Sequence, residues 1–341
     1  MKTRFGVRTL ILLAVLSTTP VAASWAQNEA VPFMGRWALH LPDGAGWLHV
    51  HDDEGYLDAE LLWYGGSVLP VSNVYVNDGV LTVTRNYDVM RQREMQDKPA
   101  RKHTVTNRLE IRRQGNRLVG IGVFPSRTAV GHNVVYFDGD RIPDLPPTPD
   151  LSKVEYGDAI TLFNGHNLSG WSLINPKNKN GFKVEDGVLI NDPVQSDGEH
   201  HIRYGNLRTD QTFEDFNLKL QVNIPKGNNS GIYLRGIYEI QVLDSYGMDL
   251  DSHHMGGLYS RIAPSVAAEK PAGEWQDFDI TLYKRHITVV LNGKTIIDNQ
   301  PAQGVTGGAL TADEFAPGPI YLQGDHGRVL YRDIVLTPIL N

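Results

Sequence analysis

The 341-residue chain contains no cysteine. That absence excludes disulfides, iron–sulfur clusters, thiolate zinc sites and cysteine nucleophiles together, and leaves His, Asp, Glu and carbonyl oxygen as the ligands for any metal. Long apolar runs are lacking too: the Leu10–Leu16 run is far shorter than the ~20 residues a membrane-spanning helix needs. Beyond that run, no window of a dozen residues keeps apolar positions at i, i+3, i+4 and i+7, so little helix is expected. Four catalytic signatures are missing as well. There is no Gly-x-Ser-x-Gly elbow, no Gly-Lys-Ser/Thr phosphate loop, no Gly-x-Gly-x-x-Gly after a strand and no His-Glu-x-x-His, which weakens serine hydrolase, NTPase, dehydrogenase and zincin readings. What is present is 34 Gly, 19 Pro, 41% hydrophobic and 21% charged residues, a globular composition that is neither disordered nor collagen-like.

The N-terminus reads as an export signal over residues 1–26. Lys2, Arg4 and Arg8 precede the apolar run, and Ala22, Ala23, Ser24 and Ala26 offer small residues for cleavage. The mature protein is expected to be exported, periplasmic or secreted, with no acylated cysteine to anchor it. Loss of those three basic residues leaves 29 Lys and Arg against 39 Asp and Glu, a surface that does not attract nucleic acid. Arg141 to Asp150 carries four prolines in ten residues; proline cannot donate to a ladder, so residues 141–153 read as an extended linker. It separates a small β domain, 27–140, from a larger one, 154–341. The oligomeric state is not readable from the sequence.

Both parts read as β. Phe216, Leu218, Leu220, Val222 and Ile224 alternate with polar residues, the period-2 signature of a strand with one buried face. Tight hairpins are expected at Asn77-Asp78-Gly79, Glu185-Asp186-Gly187 and Asn292-Gly293. In the first part, Gly35-Arg36-Trp37, Gly46-Trp47-Leu48 and Trp63 suit the core of a small antiparallel barrel or sandwich; a ligand-carrying interior is the alternative. From Arg85 to Arg117 ten Lys/Arg outnumber four Asp/Glu. That stretch reads as a solvated strand face, with an anionic-glycan patch or a docking surface for the acidic second domain as the other readings.

Chemistry is concentrated in the second part. In Asn229 to Arg235 and Tyr238 to Asp244, strand alternation puts Ile232, Leu234, Ile240 and Val242 on one face and Tyr233, Arg235, Glu239 and Gln241 on the other. The second face is either an ordinary wet surface or a polar cleft for a sugar. Asp249, Asp251, His253 and His254 offer oxygen and imidazole ligands for a divalent cation, and Glu199, His200 and His201 form a lesser candidate. Lys270 and Glu274-Trp275 precede a further strand. Gln323-Gly324-Asp325-His326-Gly327 holds an imidazole between glycines beside a carboxylate, an acid/base candidate.

From about Ile160 to Leu336 the chain resembles the 3-keto-disaccharide hydrolase family, whose fold is a concanavalin-like jelly roll. The matching pieces run in the family's order: Leu162 to Trp171, Val184 to Leu189, Asp215 to Leu218, Asn229 to Arg235, Tyr238 to Asp244, Lys270 to Trp275, and Leu291-Asn292-Gly293. The chain departs from the family pattern by an added Gly324 before Asp325-His326-Gly327, and the first part is not covered. The resemblance implies an all-β jelly-roll sandwich preceded by a small β domain, and cleavage of glycosides already oxidised to a ketone at C3, net hydrolysis that can run through 1,2-elimination and hydration. The ketone acidifies the C2 proton, so such a site needs a base, an enolate stabiliser and an acid. Glu239 or His326 is then the base, Arg235, alone or with a cation, the stabiliser, and Asp244 or Glu274 the acid or metal ligand. Carbohydrate contacts are expected from Asn229, Tyr233, Gln241, Lys270, Trp275 and Gln323. An ordinary glycosidase pairing Glu239 with Glu274 and a non-catalytic carbohydrate-binding jelly roll remain the competing readings.

Overall fold

Three tight turns show how local sequence builds the elements. Asp78-Gly79, Asp186-Gly187 and Asn292-Gly293 all have positive φ at both central positions, between 49° and 79°. Asn, Asp and Gly tolerate that conformation, and its hand matches the twist of the flanking strands. These turns join Asn73–Asn77 to Val80–Arg91, Phe182–Glu185 to Val188–Asn191, and His286–Leu291 to Lys294–Pro301 in antiparallel pairs.

The computed structural model describes residues 29–91, 100–128, 130–195 and 202–341. The export-signal segment and the Glu199-His200-His201 candidate lie outside the described residues. The protein is all-β: 52% of the described residues are in strands and 3% in helix.

Strands between Gly35 and Arg141 form one nine-stranded antiparallel sheet. Its two edges are Leu69–Pro70 and Asn73–Asn77, which Val71 and Ser72 alone separate in the chain. The sheet must therefore curl round on itself. Val71 N–H donates to Ala59 O (3.0 Å) on one side and Ser72 N–H to Thr84 O (2.8 Å) on the other, stitching the seam. Inward residues such as Trp37, Leu39, Leu48, Leu81, Ile111 and Leu118 form its apolar core. Gly120 and Gly122 leave room for aromatic rings: a Cβ on either would lie 2.5 Å from Phe137 or Phe124.

The second part is a two-sheet antiparallel sandwich of the jelly-roll type. An eight-stranded sheet, whose central members include Phe216–Asn223, Trp275–Tyr283 and Val329–Pro338, faces a five-stranded sheet. The smaller sheet runs in the order Trp171–Leu173, Leu207–Thr209, Tyr321–Leu322, Asn229–Leu234, Tyr238–Leu243. Between them pack Ile232, Leu234, Ile240 and Val242 from one side and Leu218, Val222, Phe278 and Ile280 from the other. Residues 256–259 pair along Tyr238–Leu243, through Gly256 N–H to Gln241 O (2.8 Å) and Tyr259 N–H to Glu239 O (2.9 Å).

The two parts are packed together. Ala38, Ala45, Trp47, Leu62 and Ile142 belong to the same buried cluster as the sandwich core. The Arg261 guanidinium stacks 4.3 Å from the Trp47 ring centroid and donates to Val305 O (3.0 and 2.6 Å) and Gln303 O (3.1 Å). The proline-rich segment carries no strand beyond Arg141 but is docked, with Ile142 buried and Asn299 Nδ2 donating to Pro149 O (2.8 Å). Replacing Arg261 by Leu keeps bulk over Trp47 but leaves the Val305 and Gln303 carbonyls without their donor. Urea unfolding should show a loss of about 2–4 kcal/mol; an unchanged midpoint would mean that this contact contributes nothing to holding the two parts together.

Candidate active site

The register of two strands builds the site. Tyr233 lies opposite Glu239 and Gly231 opposite Gln241 across the pair Asn229–Leu234 and Tyr238–Leu243. Because Ile232, Leu234, Ile240 and Val242 fill the sandwich, alternation sends Tyr233, Glu239 and Gln241 to the outer face of the five-stranded sheet. Tyr321, opposite Tyr233 on the other neighbour, stacks on it at 3.8 Å between centroids. Arg208 lies opposite Tyr321 and so shares that face; it is half-buried, and its guanidinium has no hydrogen bond or ion pair among the described residues.

Glu239 is 4% exposed although it points away from the sandwich, since loops roof it. Its N–H donates to Thr306 Oγ1 (2.9 Å). The Tyr233 hydroxyl sits 2.7 Å from Glu239 Oε2 and 2.8 Å from Gly307 O. One hydroxyl proton serves one acceptor well: with Glu239 ionised it goes to the carboxylate, and with Glu239 protonated the acid donates to the phenol and the phenol to Gly307 O. Burial pushes the Glu239 pKa up to about 7, against the opposing pull of the Tyr233 bond and the His326 charge. Gly231 is what makes room, because a Cβ there would stand 2.3 Å from Glu239 Oε1.

At the rim, His326 Nδ1 and Asp325 Oδ1 are 2.8 Å apart, with side chains 45% and 44% exposed. The Asp325 hydrogen bond holds the His326 pKa above its ordinary value despite partial burial, and Glu239 adds to the effect. Asn229 follows Gly231 and Tyr233 in the outward alternation, and Gln323 follows Tyr321. Their side-chain oxygens, Asn229 Oδ1 and Gln323 Oε1, are buried with no partner among the described residues. Two orphaned acceptors beside a carboxyl and an imidazole suit a ligand bearing hydroxyl groups.

Several expected members are elsewhere. Arg235 does not share the face of Glu239: it leaves the strand with φ of +53° in the turn to Gly236, and its guanidinium donates to Glu314 O (2.8 Å) and Ala316 O (3.2 Å from Nε). Asp244 accepts from Gly227 N–H (2.8 Å) and closes a turn. Trp275 opens a strand of the other sheet, and Lys270 and Glu274 lie in the segment that leads into it. Lys270 Nζ donates to Trp275 O (2.8 Å), Glu274 is exposed, and the Trp275 ring lies outside that sheet 4.0 Å from the Arg332 guanidinium. Gln241 is on the expected face, but its amide is engaged, donating to His253 O (3.1 Å) and accepting from Val242 N–H (3.1 Å).

The four candidate metal ligands do not converge. His253 Nδ1 pairs with Asp251 Oδ1 (2.6 Å) and its Nε2 with Ser67 Oγ of the first part (2.8 Å), while His254 Nδ1 bonds Asp249 O (2.7 Å). No group of three or more His, Asp or Glu that could hold a metal ion occurs among the described residues. These side chains tether a loop to its neighbours instead. Arg208 was missed because a three-residue strand, Leu207–Thr209, is too short to show a period.

Residues 158–337 match the family described as the 3-keto-alpha-glucoside-1,2-lyase-like domain. A 3-keto-disaccharide hydrolase of Bacteroides thetaiotaomicron is 25% identical over 167 residues, covering 41% of this chain. The chain spans 57% of that relative's length. Among solved structures, a candidate glycosyl hydrolase of Parabacteroides distasonis is 27% identical with a TM-score of 0.43, covering 57% of this chain and 93% of that one. A β-glucanase of Bacillus licheniformis is 12% identical with a TM-score of 0.34, covering 55% of this chain and 99% of that one.

The Glu239 environment fixes a stability signature. A carboxyl whose pKa is about 7 when folded and 4.5 when unfolded costs nothing below pH 4.5; its cost grows as pH rises and levels off above 7. Glu239→Gln should therefore stabilise the protein at pH 8 by about 3 kcal/mol, shrinking to under about 1 kcal/mol at pH 5. Urea melts at the two pH values check this, and an equal effect at both would show that Glu239 is not held in a desolvating site. Gly231→Ala should displace the Glu239 carboxylate and abolish the pH dependence of that difference.

Proposed function

Because the chain belongs to the 3-keto-alpha-glucoside-1,2-lyase-like domain family over residues 158–337, just over half its length, we propose that it cleaves glycosidic bonds of sugars carrying a ketone at C3. The observation that carries this reading is the buried Glu239, with a pKa of about 7, sharing a face with an Asp325-supported imidazole and an Arg.

A 3-keto group makes the C2 proton acidic, so the first step needs a base matched to neutral pH, and a carboxylate with this pKa is a stronger base than an ordinary one. Glu239 takes the C2 proton, and the electron pair moves toward the C3 oxygen as the enolate. The Arg208 guanidinium stabilises that oxygen. The C1–O bond then breaks as the double bond forms between C1 and C2, and His326, whose hold on a proton Asp325 strengthens, gives its proton to the departing oxygen. Hydration then completes net hydrolysis: water adds its hydroxyl to C1 and gives a proton to His326, and Glu239 delivers its proton to C2, which restores both side chains. Asn229 Oδ1 and Gln323 Oε1 accept from sugar hydroxyls. In this assignment Arg208 takes the role the sequence suggested for Arg235, and His326 that suggested for Asp244 or Glu274. A protein that merely binds carbohydrate has no use for a buried carboxyl poised near neutrality, which favours chemistry over recognition. The basic and apolar N-terminal segment supports export as part of the same proposal.

The test is to supply a glucoside and its 3-keto derivative to the purified protein. Turnover of the keto sugar with the parent glucoside left intact is expected, and equal turnover of both would sink the keto-sugar mechanism. Glu239→Gln should lower kcat by about 10²–10⁴ and Arg208→Met by about 10–10³ with the fold intact. Near-wild-type rates for either would remove that residue from the reacting set.

A further inference from the structure

The barrel of the first part is not filled to its end. On Val80–Arg91 the residues Leu81, Val83 and Arg85 follow one another on the inward face, and on Arg101–Gln114 so do Ile111, Leu109 and Asn107. The register pairs Leu81 with Ile111, Val83 with Leu109 and Arg85 with Asn107. The first two pairs are core residues, each at most 2% exposed. Cross-strand partners point to the same side, so Arg85 and Asn107 continue that line inward. There they reach a cavity of about 310 Å³ walled by Leu61, Trp63, Leu109 and Phe124 among others, with no carboxylate in its lining. The Trp63 and Phe124 ring centroids are 5.1 Å apart.

The polar pair in this apolar space is uncompensated. Burial lowers the Arg85 pKa, and no charge among the described residues opposes it. Asn107 Oδ1 is buried without a hydrogen-bond partner among the described residues. A half-buried cation that meets no anion among the described residues and an orphaned amide oxygen both carry a desolvation cost that a ligand would relieve. The volume is at the lower end of the range for small-molecule pockets, roughly 300–1,000 Å³. We propose that this barrel mouth binds a compact aromatic monocarboxylate bearing a hydroxyl, its carboxylate on the Arg85 guanidinium, its ring against the wall that Trp63 and Phe124 form together, and its hydroxyl donating to Asn107. Ion pairing with a planar guanidinium selects carboxylate over neutral groups, and the flat aromatic walls select a ring. The site is separate from Glu239 and stands whether or not the sandwich cleaves keto sugars.

The probe is 4-hydroxybenzoate, with 4-hydroxybenzamide as its neutral near-isostere, titrated into the full chain by calorimetry. Saturable binding of the acid with a Kd of about 1 mM or tighter is expected, with the amide at least about tenfold weaker. Arg85→Met should erase the preference for the acid. It should leave the thermal melt no lower than wild type, since it removes an uncompensated cation, so loss of binding is separable from loss of fold. Trp63→Phe should keep calorimetric binding while removing any ligand-induced fluorescence change. No saturable binding by 10 mM (about tenfold above the expected Kd), or an acid-to-amide ratio unaltered in Arg85→Met, overturns the proposal.

Discussion

The antiparallel register between Asn229–Leu234 and Tyr238–Leu243 is the constraint on which the site depends. It opposes Tyr233 to Glu239 and Gly231 to Gln241. A slip by one residue would turn Ile240 and Val242 outward and drive Glu239 into the sandwich core. The apolar half of each strand therefore enforces the position of the polar half. Gly231 completes the arrangement, since the carboxylate occupies the space a side chain would take.

Two Tyr–Glu pairs on adjacent positions of one strand show how surroundings divide structural from reactive groups. Tyr238 faces inward and donates to Glu314 Oε1 (2.7 Å), and Glu314 Oε2 also receives Arg285 (3.2 Å). Burial raises the Glu314 pKa, but Arg285 leads the groups that oppose it. That carboxylate is locked by a cation and a phenol in the interior. Glu239, one position along and on the opposite face, has a phenol and a rim imidazole but no guanidinium among the groups that shift it. The difference in partners, not in residue type, leaves one carboxyl committed and the other free to exchange a proton near neutral pH.

The first part bears on the second through a few close contacts. Gly308 N–H donates to Tyr64 O (3.2 Å), and a Cβ on Gly307 would fall 2.2 Å from Gly66 O. Gly307 is the residue whose carbonyl meets the Tyr233 hydroxyl. Ser67 and His253 meet on the other side of the same loop, and the His253 carbonyl holds Gln241. The barrel thus abuts the walls that bury Glu239, which ties the high pKa of that group to the packing of a part of the chain outside the matched family region.

Much of the β architecture was legible from residues alone. Asn/Asp-Gly turns and period-2 alternation are local signals, because φ preference and side-chain direction are set within a few residues. Glu239, Tyr233 and their outward face followed from the same alternation. Arg235 shows where that rule ends: the alternation holds only while the strand continues, and a left-handed turn begins there. The motif around Lys270 to Trp275 leads into the opposite sheet, and the Asp249-to-His254 group is tied up in hydrogen bonds among its own members and to Ser67, neither of which spacing reveals. Arg208, the roof over Glu239 and the turn of Arg85 into the barrel arise from pairings between segments that lie apart in the chain. Sequence by itself determined the elements and which side of each is apolar. Tertiary structure alone decided which polar side chains share a site and which carboxyl loses its water, because proximity and desolvation belong to the assembled fold.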